Sequence, residues 1–233
     1  MLPRITRETL SEQVTERLLE YIAAQQLKAG DLLPSETSLG NSFGVSRPVI
    51  REALKNLEGK GILEIVNGRG AIIRPIDSVP LRLFFQRAMQ MEHRSILELM
   101  EVRRGLEVQA AELAAQRRTE RDLQAIHRII HMMQENIGNL DAYTHLDVEL
   151  HLQIAAASHN AILAYLVESI RDALRNTISA GLKSRGPALQ LETIQRTHET
   201  LLETIEKGDP QAAIQAMLLH FDEAIAALSG SFT

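Results

Sequence analysis

The chain has 233 residues, of which 45% are hydrophobic and 24% charged, and its formal net charge is −5. It contains no cysteine, which excludes disulfides and thiolate metal sites, and 3% aromatic content argues against base-stacking platforms for single-stranded nucleic acid. No signal peptide is recognisable and no run approaches about 18 apolar residues, so we expect a cytoplasmic protein without a membrane span.

The first part of the chain contains two helical segments with clear end signals. Residues 11–24 have the apolar spacing of an amphipathic helix, which is expected to end at the turn 28–31. Ser35 is expected to cap a second helix, and Gly44 is expected to end it. Two helices joined by a short turn are therefore predicted before residue 45.

A third helix is predicted to begin at Arg47, directly after a tight turn. Gly44 can adopt the positive φ that the turn needs, and Ser46 can cap the new helix. Arg47, Arg51 and Lys55 follow at intervals of four and therefore share one exposed face. Cations in this register suit DNA phosphates and guanine edges.

Two β-prone runs follow the third helix, which Gly61 is expected to end. Residues 62–66 and 71–74 are joined by the tetrapeptide 67–70, Asn-Gly-Arg-Gly, which is typical of a hairpin turn. Arg69 stands at its tip, where it can approach a minor groove or a phosphate. The order of elements predicts a winged helix-turn-helix.

This region resembles the N-terminal domain of the GntR family of bacterial transcription regulators, from Leu10 to Arg74. The resemblance is carried by four blocks of sequence, at residues 29–36, 44–54, 57–63 and 68–70.

The resemblance implies that Arg47 and Arg51 contact DNA and that Gly68 lets the backbone approach the groove. Many relatives carry an arginine where this chain has Thr37, a departure expected to weaken affinity or change the operator that is read. The residues expected at the DNA interface are Ser35, Thr37, Ser46, Arg47, Val49, Arg51, Lys55, Gly68 and Arg69.

Charge is unevenly distributed along the chain. Residues 1–74 carry 10 basic and 9 acidic side chains, and residues 75–233 carry 15 and 21, giving net charges of +1 and −6. Binding to DNA must therefore rely on a few well-placed cations rather than on a general positive field. Two copies would double the phosphate contacts, so we expect a homodimer on a short palindromic double-stranded operator.

The predicted fold class is mainly α, with a winged helix-turn-helix followed by an antiparallel all-helical bundle. The expected segments are the DNA-binding domain 1–74, the linker 75–79, the helical effector-binding and dimerisation domain 80–229, and the tail 230–233. Seven helices are expected in the second domain, near residues 80–91, 95–116, 119–137, 140–157, 160–182, 188–207 and 210–229.

Three histidines and one aspartate indicate a metal site in this bundle. Asp147 and His151 lie four residues apart on one helix, His198 falls within an apolar stripe, and His220 lies at the edge of another. Such a set suits a divalent transition metal, with zinc the first choice and nickel the alternative. Hydrogen-bonded core histidines are the competing interpretation.

The other histidines are expected to have no such role. His127 and His131 are also four residues apart, but the surrounding pattern puts both on the flank or solvent side of their helix. His93, His145 and His159 fall near predicted helix ends, where capping or solvent exposure accounts for them.

The C-terminal region resembles the FCD effector domain of the FadR subgroup, in residues 97–107, in the pair Asp147 and His151, and in the single histidine of each of the last two helices. The resemblance implies that the four metal-site residues are ligands and that Arg103 faces the effector. A guanidinium beside a metal implies a small carboxylate, such as a hydroxy acid, sugar acid or dicarboxylate. A structural ion pair is the alternative for Arg103, which borders the predicted inward face of Leu99, Val102, Leu106 and Ala110.

Together these features predict a metabolite-responsive transcription regulator, a repressor rather than an enzyme. Two alternatives stay open at this point. One is a metal-dependent hydrolase or lyase in the helical domain, and the other is a metal that only stabilises the bundle.

Overall fold

The computed structural model describes residues 8–91, 95–171 and 189–229. The chain divides into two compact units, Met1–Asp77 and Ser78–Thr233. The N-terminal unit contains three helices and a two-stranded sheet, and the described part of the C-terminal unit is helical. The predicted fold class, a mainly α protein with a winged helix-turn-helix and a helical domain, is confirmed.

The N-terminal unit has the predicted order of elements. In chain order these are α1 (Leu10–Ala24), α2 (Glu36–Phe43), α3 (Arg47–Gly59), β1 (Leu63–Val66) and β2 (Gly70–Ile73). The strands pair antiparallel, with Leu63 opposite Ile73, and Leu32 extends the pairing through a bridge to Ile72. The hairpin is thereby tied to the segment that precedes α2.

Local capping explains where α2 begins and ends, but not where α3 begins. Ser35 accepts a hydrogen bond from the backbone N–H of Ser38, and Gly44 ends α2 in the left-handed conformation with φ +67°. The prediction for Ser46 was wrong in part, because it occupies the N-cap position of α3 without making a side-chain capping bond. Pro48 lies two residues further on and lacks one of the N–H groups that a capping side chain reaches.

A single apolar core holds the N-terminal unit together. Leu18 of α1, Ile50 and Leu57 of α3, and Leu63 of β1 are completely buried. Burying side chains of this size stabilises the fold by about 1.5–3 kcal/mol each. The buried face of α3 points inward, so its opposite face is left for contacts with solvent or a ligand.

The described part of the C-terminal unit comprises seven helices. They are α4 (Val79–Met91), α5 (Ser95–Arg117), α6 (Glu120–Glu135), α7 (Leu140–Ala157), α8 (described over residues 161–171), α9 (Leu189–Lys207) and α10 (Pro210–Ser229). The remainder of the predicted helix 160–182, the tail 230–233 and His93 lie outside the described residues.

Short connections make neighbouring helices antiparallel in this unit. Four residues join α6 to α7 and two residues join α9 to α10, and both pairs pack against each other. Helix α5 packs against α7, α9 and α10, and therefore lies at the centre of the bundle. No helix in the described ranges combines the length and the apolar character needed to span a membrane.

Candidate functional site

Four buried side chains from three helices converge inside the C-terminal unit. Asp147 and His151 project from α7, His198 from α9 and His220 from α10. One potential ligand atom from each lies within 4.8 Å of the corresponding atom of the others. The three imidazole rings are mutual neighbours, with centroid distances of 4.7, 4.8 and 5.6 Å. This cluster could hold a metal ion.

The local sequence explains the convergence. The four-residue spacing of Asp147 and His151 places both on the face of α7 that carries the buried Tyr143, Leu150 and Ile154. Asp147 Oδ1 lies 3.4 Å from His198 Nε2 and 3.8 Å from His151 Nε2. The aspartate is thus the group to which two of the imidazoles point.

The imidazole nitrogens lack the partners that buried polar atoms normally have. Neither ring nitrogen of His198 and neither ring nitrogen of His151 makes a hydrogen bond among the described residues, although all four atoms are buried. Buried polar atoms without partners are rare in native proteins. Three imidazole nitrogens and one carboxylate oxygen form a donor set that suits a divalent transition metal, so the residues fit the ion.

A close contact determines which nitrogen of His151 is available. Its Nδ1 lies against Oε2 of Glu107, in an ion-pair contact that lacks hydrogen-bond geometry. Two atoms bearing only lone pairs would repel each other at this separation, so we assign the imidazole proton to Nδ1. Nε2 of His151 then presents its lone pair toward Asp147.

The electrostatics keep the imidazoles in the form that binds metal. Burial lowers the pKa of His198 to about 3, although the Asp147 carboxylate opposes this shift. Burial likewise lowers the pKa of His151, and burial together with the two neighbouring imidazoles lowers that of His220. Burial alone would raise the pKa of Asp147, but His151 and Arg171 reverse this and lower it. At neutral pH the cluster therefore contains neutral imidazoles and a carboxylate.

A second group of buried charges adjoins the cluster. Arg103 Nε contacts Oε1 of Glu107. Arg171 donates two hydrogen bonds to the same carboxylate, Nε to Oε1 at 3.0 Å and Nη2 to Oε2 at 3.1 Å. Arg171 Nη1 lies 3.6 Å from Asp147 Oδ2, which links this group to the cluster of Asp147 and the three histidines.

The structure corrects the predicted surroundings of Arg103. Val102, which was expected to face inward, is 52% exposed, whereas Met100 and Arg103 are buried. The prediction was wrong because the inward face of α5 includes the charged residues Arg103 and Glu107, which the hydropathy pattern assigns to solvent. The ion pair that was the alternative for Arg103 is present, with Glu107 as its partner.

Sequence reasoning missed Glu107 and Arg171. Glu107 lies four residues after Arg103 and so shares its helix face, which was a usable signal. Arg171 follows the buried Leu163, Val167 and Ile170 along α8, and an arginine that continues an apolar stripe was the only indication of its burial.

The remaining described histidines lie away from the cluster. The side chains of His127 and His131 are 50% and 74% exposed, as their helical positions predicted. His145 is also exposed. His159 adopts a positive φ of 49° and its Nε2 lies 2.9 Å from Asp122 Oδ2, so it has a partner at the start of α6.

Most of the residues expected at a DNA interface are exposed on the N-terminal unit. Arg47, Arg51 and Lys55 are exposed along α3. Val49 is half-buried and packs against the core, so its contribution to an interface is partial. The other members of the set, Ser35, Thr37, Ser46, Gly68 and Arg69, are all exposed.

Arg51 is already oriented by another residue. Its Nε and Nη2 donate hydrogen bonds to the two carboxylate oxygens of Glu36, at 3.2 and 3.0 Å, and Arg47 Nη2 lies 3.6 Å from the same carboxylate. Sequence reasoning did not single out Glu36. In the hairpin, Gly68 and Gly70 have φ values of +79° and +100°, which a side chain would disfavour.

Comparison with known proteins gives two adjacent matches. Residues 10–73 match the description "Bacterial regulatory proteins, gntR family", and residues 98–223 match "FCD domain".

Individual relatives agree with these matches. The HTH-type transcriptional regulator LutR of Bacillus subtilis is 32% identical over 215 residues, which is 89% of this chain and 95% of that protein. The Glc operon transcriptional activator of Escherichia coli K12 is also 32% identical, over 92% of this chain and 87% of its own length. A solved structure described as Streptococcus agalactiae GntR aligns with a TM-score of 0.65 and 26% identity, covering 91% and 98% of the two chains.

Proposed function

This chain belongs to the gntR family of bacterial regulatory proteins and carries an FCD domain. We propose that it is a transcription regulator whose C-terminal unit senses a small carboxylate at a metal site. Its homodimer binds a short palindromic operator. Its relatives are named as regulators, and it is a regulator rather than an enzyme.

One observation carries the sensing proposal. Asp147, His151, His198 and His220 are buried together, and the ring nitrogens of His151 and His198 have no hydrogen-bond partner among the described residues. A cation bound here would supply a partner for one nitrogen of each of these imidazoles. Zinc is the proposed metal because imidazole and carboxylate ligands both suit it, and nickel is the alternative.

The neighbouring charges indicate the class of ligand. Arg103 and Arg171 balance Asp147 and Glu107, so a divalent metal leaves the buried group with two excess positive charges. Uncompensated charge is costly in a buried site, so an anion is favoured there. A hydroxy acid, sugar acid or dicarboxylate can contact both the metal and a guanidinium, and Arg103 is the proposed contact.

The DNA-binding part of the proposal rests on the exposed face of α3. Arg47, Arg51 and Lys55 enter the major groove, and Arg69 on the hairpin contacts a phosphate or the minor groove. In fluorescence anisotropy with an operator selected from a random duplex library, Arg51→Ala is expected to weaken binding by at least roughly tenfold. Arg128→Ala, an exposed arginine of the C-terminal unit, serves as the control and should leave binding unchanged.

An exposed apolar surface on the C-terminal unit supports dimerisation. Leu81, Leu83 and Phe84 of α4 and Val102 of α5 are all exposed, with Phe84 at 66%. Surfaces of this kind commonly mark protein interfaces. Light scattering coupled to size exclusion should report a dimer for the wild type and a monomer for Phe84→Asp.

The proposed regulation is repression relieved by the effector. A dimer bound at an operator obstructs transcription, and an effector that binds one arrangement of the units better shifts the population away from the DNA-bound arrangement. A reporter under the selected operator should be repressed by the protein and released by the cognate acid. Reporter expression that requires the protein would instead identify an activator.

Elemental analysis tests the metal site. Purified wild type is expected to contain about one zinc or nickel per chain, and the double variant His198→Ala, His220→Ala is expected to contain none. The matched control is His127→Ala, His131→Ala, in which both imidazoles are solvent-exposed. Equal metal content in all three proteins would remove the site from the proposal.

A thermal-shift screen separates sensing from a purely structural metal. Small carboxylates are added to wild type with and without a chelator. Stabilisation by one class of acid, lost on chelation, supports the sensor. A chelator that lowers the melting temperature while no acid has any effect supports the structural alternative.

A further inference from the structure

One buried carboxylate contacts both buried arginines that the structure describes beside the proposed metal site. Glu107 is 1% exposed and accepts two hydrogen bonds from Arg171, at 3.0 and 3.1 Å. Its Oε1 also contacts Arg103 Nε, and its Oε2 contacts Nδ1 of His151. The same side chain therefore touches both arginines and the outer nitrogen of a proposed metal ligand.

We propose that Glu107 is a positioning residue that couples metal binding to carboxylate binding. This inference rests on the proposed function, since it assigns a role beside the same site. Glu107 touches neither the metal nor the effector, and acts by orienting His151 on one side and Arg103 on the other.

On the side of the metal, Glu107 determines which tautomer His151 adopts. The close approach of Oε2 requires the proton of the neutral imidazole to lie on Nδ1, so Nε2 is left as a lone-pair donor. Outer partners of this kind fix the tautomer and the ring orientation of ligating histidines, and their removal typically weakens metal binding by about 10–100-fold. A glutamine in place of Glu107 can donate as well as accept hydrogen bonds, so it would not enforce this form.

On the side of the ligand, Glu107 leaves the guanidinium of Arg103 free to donate hydrogen bonds to a carboxylate. Arg171 is the more fully engaged of the two arginines, because each of its three guanidinium nitrogens has an acceptor: Nε and Nη2 donate to Glu107, and Nη1 lies 3.4 Å from the carbonyl oxygen of Asp147. Arg103 gives only Nε to Glu107, and its Nη1 contacts Met100 Sδ, a weak acceptor, at 3.7 Å. The guanidinium carbon of Arg103 stands 4.9 Å from the Phe221 ring centroid, which further limits its orientation. The terminal nitrogens of Arg103 are therefore the donors that a ligand carboxylate can recruit.

The charge of Glu107 also bears on ligand selection. Replacing it by glutamine leaves Arg103 and Arg171 opposed by Asp147 alone, which raises the positive charge of the site by one. A more positive site favours a dianion over a monoanion. Loss of Glu107 should therefore shift preference from a monocarboxylate toward a dicarboxylate.

The experiment compares wild type, Glu107→Gln and the control Glu101→Gln, which removes an exposed carboxylate from the same helix. Zinc affinity is measured by chelator competition, and the affinities for L-lactate and malonate are measured with and without zinc. Glu107→Gln is expected to bind zinc roughly 10–100-fold more weakly. The strengthening of acid binding by zinc should shrink, and the malonate-to-lactate affinity ratio should rise.

A second variant and a direct measurement cover the possibility that Glu107→Gln does not fold. Glu107→Asp keeps the charge on a shorter side chain, so the malonate-to-lactate ratio should stay near the wild-type value while zinc affinity falls. In ¹⁵N-histidine-labelled wild type, long-range NMR couplings should show His151 protonated at Nδ1, before and after zinc is added. Protonation at Nε2 in the metal-free protein would overturn the inference.

The possible failures are distinguishable. A wild type that binds no zinc would overturn the proposed metal site and this inference with it. A wild type that binds zinc and acid, with Glu107→Gln within about twofold in every affinity, would overturn the role of Glu107 alone and leave the proposed function in place.

Discussion

Arg51 on α3 and Glu36 at the first position of α2 form a two-point contact, with donor–acceptor distances of 3.2 and 3.0 Å. Hydrogen bonds from Arg51 lower the pKa of the Glu36 carboxyl, and Arg47 contributes to the shift. The carboxylate is therefore ionised at neutral pH, between the two arginines that are expected to reach DNA. Exposed ion pairs add little stability, so the consequence of this contact is the orientation of Arg51.

Glu36→Gln is expected to reduce the discrimination between operator and unrelated DNA. The variant loses a negative charge near the phosphates, which strengthens non-specific binding, and it loosens Arg51, which weakens base reading. Anisotropy titrations with the selected operator and with a scrambled duplex should show a specificity ratio several-fold below that of wild type. Glu149→Gln removes an exposed charge in the other unit and should change neither titration. An unaltered specificity ratio in Glu36→Gln would rule out the orienting role.

Two glycines of the N-terminal unit offer a matched test of backbone conformation. Gly44 has φ +67°, whereas Gly59 is the last residue of α3 and has no positive φ. A Cβ at either position would meet no atom within 4 Å. Gly44→Ala should lower the free energy of unfolding by about 1 kcal/mol, because the left-handed conformation disfavours a side chain. Gly59→Ala should raise it by roughly 0.4–1 kcal/mol, because alanine loses less conformational entropy. Urea denaturation of both variants measures the two effects, and equal signs would contradict the assignment.

Arg171 and Arg104 test the difference between buried and exposed ion pairs. Arg171→Met leaves Asp147 and Glu107 buried with fewer cationic partners, which should cost about 3–5 kcal/mol of unfolding free energy. Arg104 instead pairs with the exposed Asp222 at 2.9 Å, so Arg104→Met should cost less than about 1 kcal/mol. Chemical denaturation of the metal-free proteins gives both values. A loss below 1 kcal/mol in Arg171→Met would show that the buried network contributes little.

The metal-free protein is expected to lose stability as pH falls below about 6.5, the ordinary histidine value. Burial holds the pKa of His198 near 3, against the opposing effect of Asp147. Burial also lowers the pKa of His151 and His220. The unfolded chain therefore binds more protons than the native protein below pH 6.5, and each such group lowers the unfolding free energy by up to about 1.4 kcal/mol per pH unit.

Within the described ranges, the other buried charged groups beside these rings are Arg103, Arg171 and Glu107. The lowered pKa of Glu107, where the two arginines outweigh burial, adds a further loss only at more acidic pH. Urea titrations of chelator-treated, metal-free protein at about pH 7.5 and 5.5 measure how the free energy of unfolding changes with pH. This pH dependence should be weaker in His198→Gln and unchanged in His131→Gln. A flat profile in wild type would mean that the imidazoles are not buried in the neutral form.

Several features could be predicted because their causes are local. The positive φ at Gly44 follows from turn chemistry, and the exposed register of Arg47 and Arg51 follows from the helical repeat. The shared face of Asp147 and His151 has the same origin. The absence of a capping bond at Ser46 was also within reach of the sequence, since Pro48 removes a local donor.

The sequence by itself determined the winged helix-turn-helix, the order of the helices and the helix faces that carry Asp147, His151, His198 and His220, because helical spacing and turn residues act over a few positions. The packing of α7, α9 and α10 brings those four side chains together. Only the tertiary structure decided that Glu107 contacts both Arg103 and Arg171, and that Val102 faces outward. Arg171 lies 64 residues beyond Glu107 along the chain. The physical reason is that a buried charge is stable only with partners, and these partners come from helices remote in sequence. A hydropathy pattern assigns charged residues to the solvent side of a helix. The pattern that locates an apolar core therefore cannot locate a group of buried ion pairs.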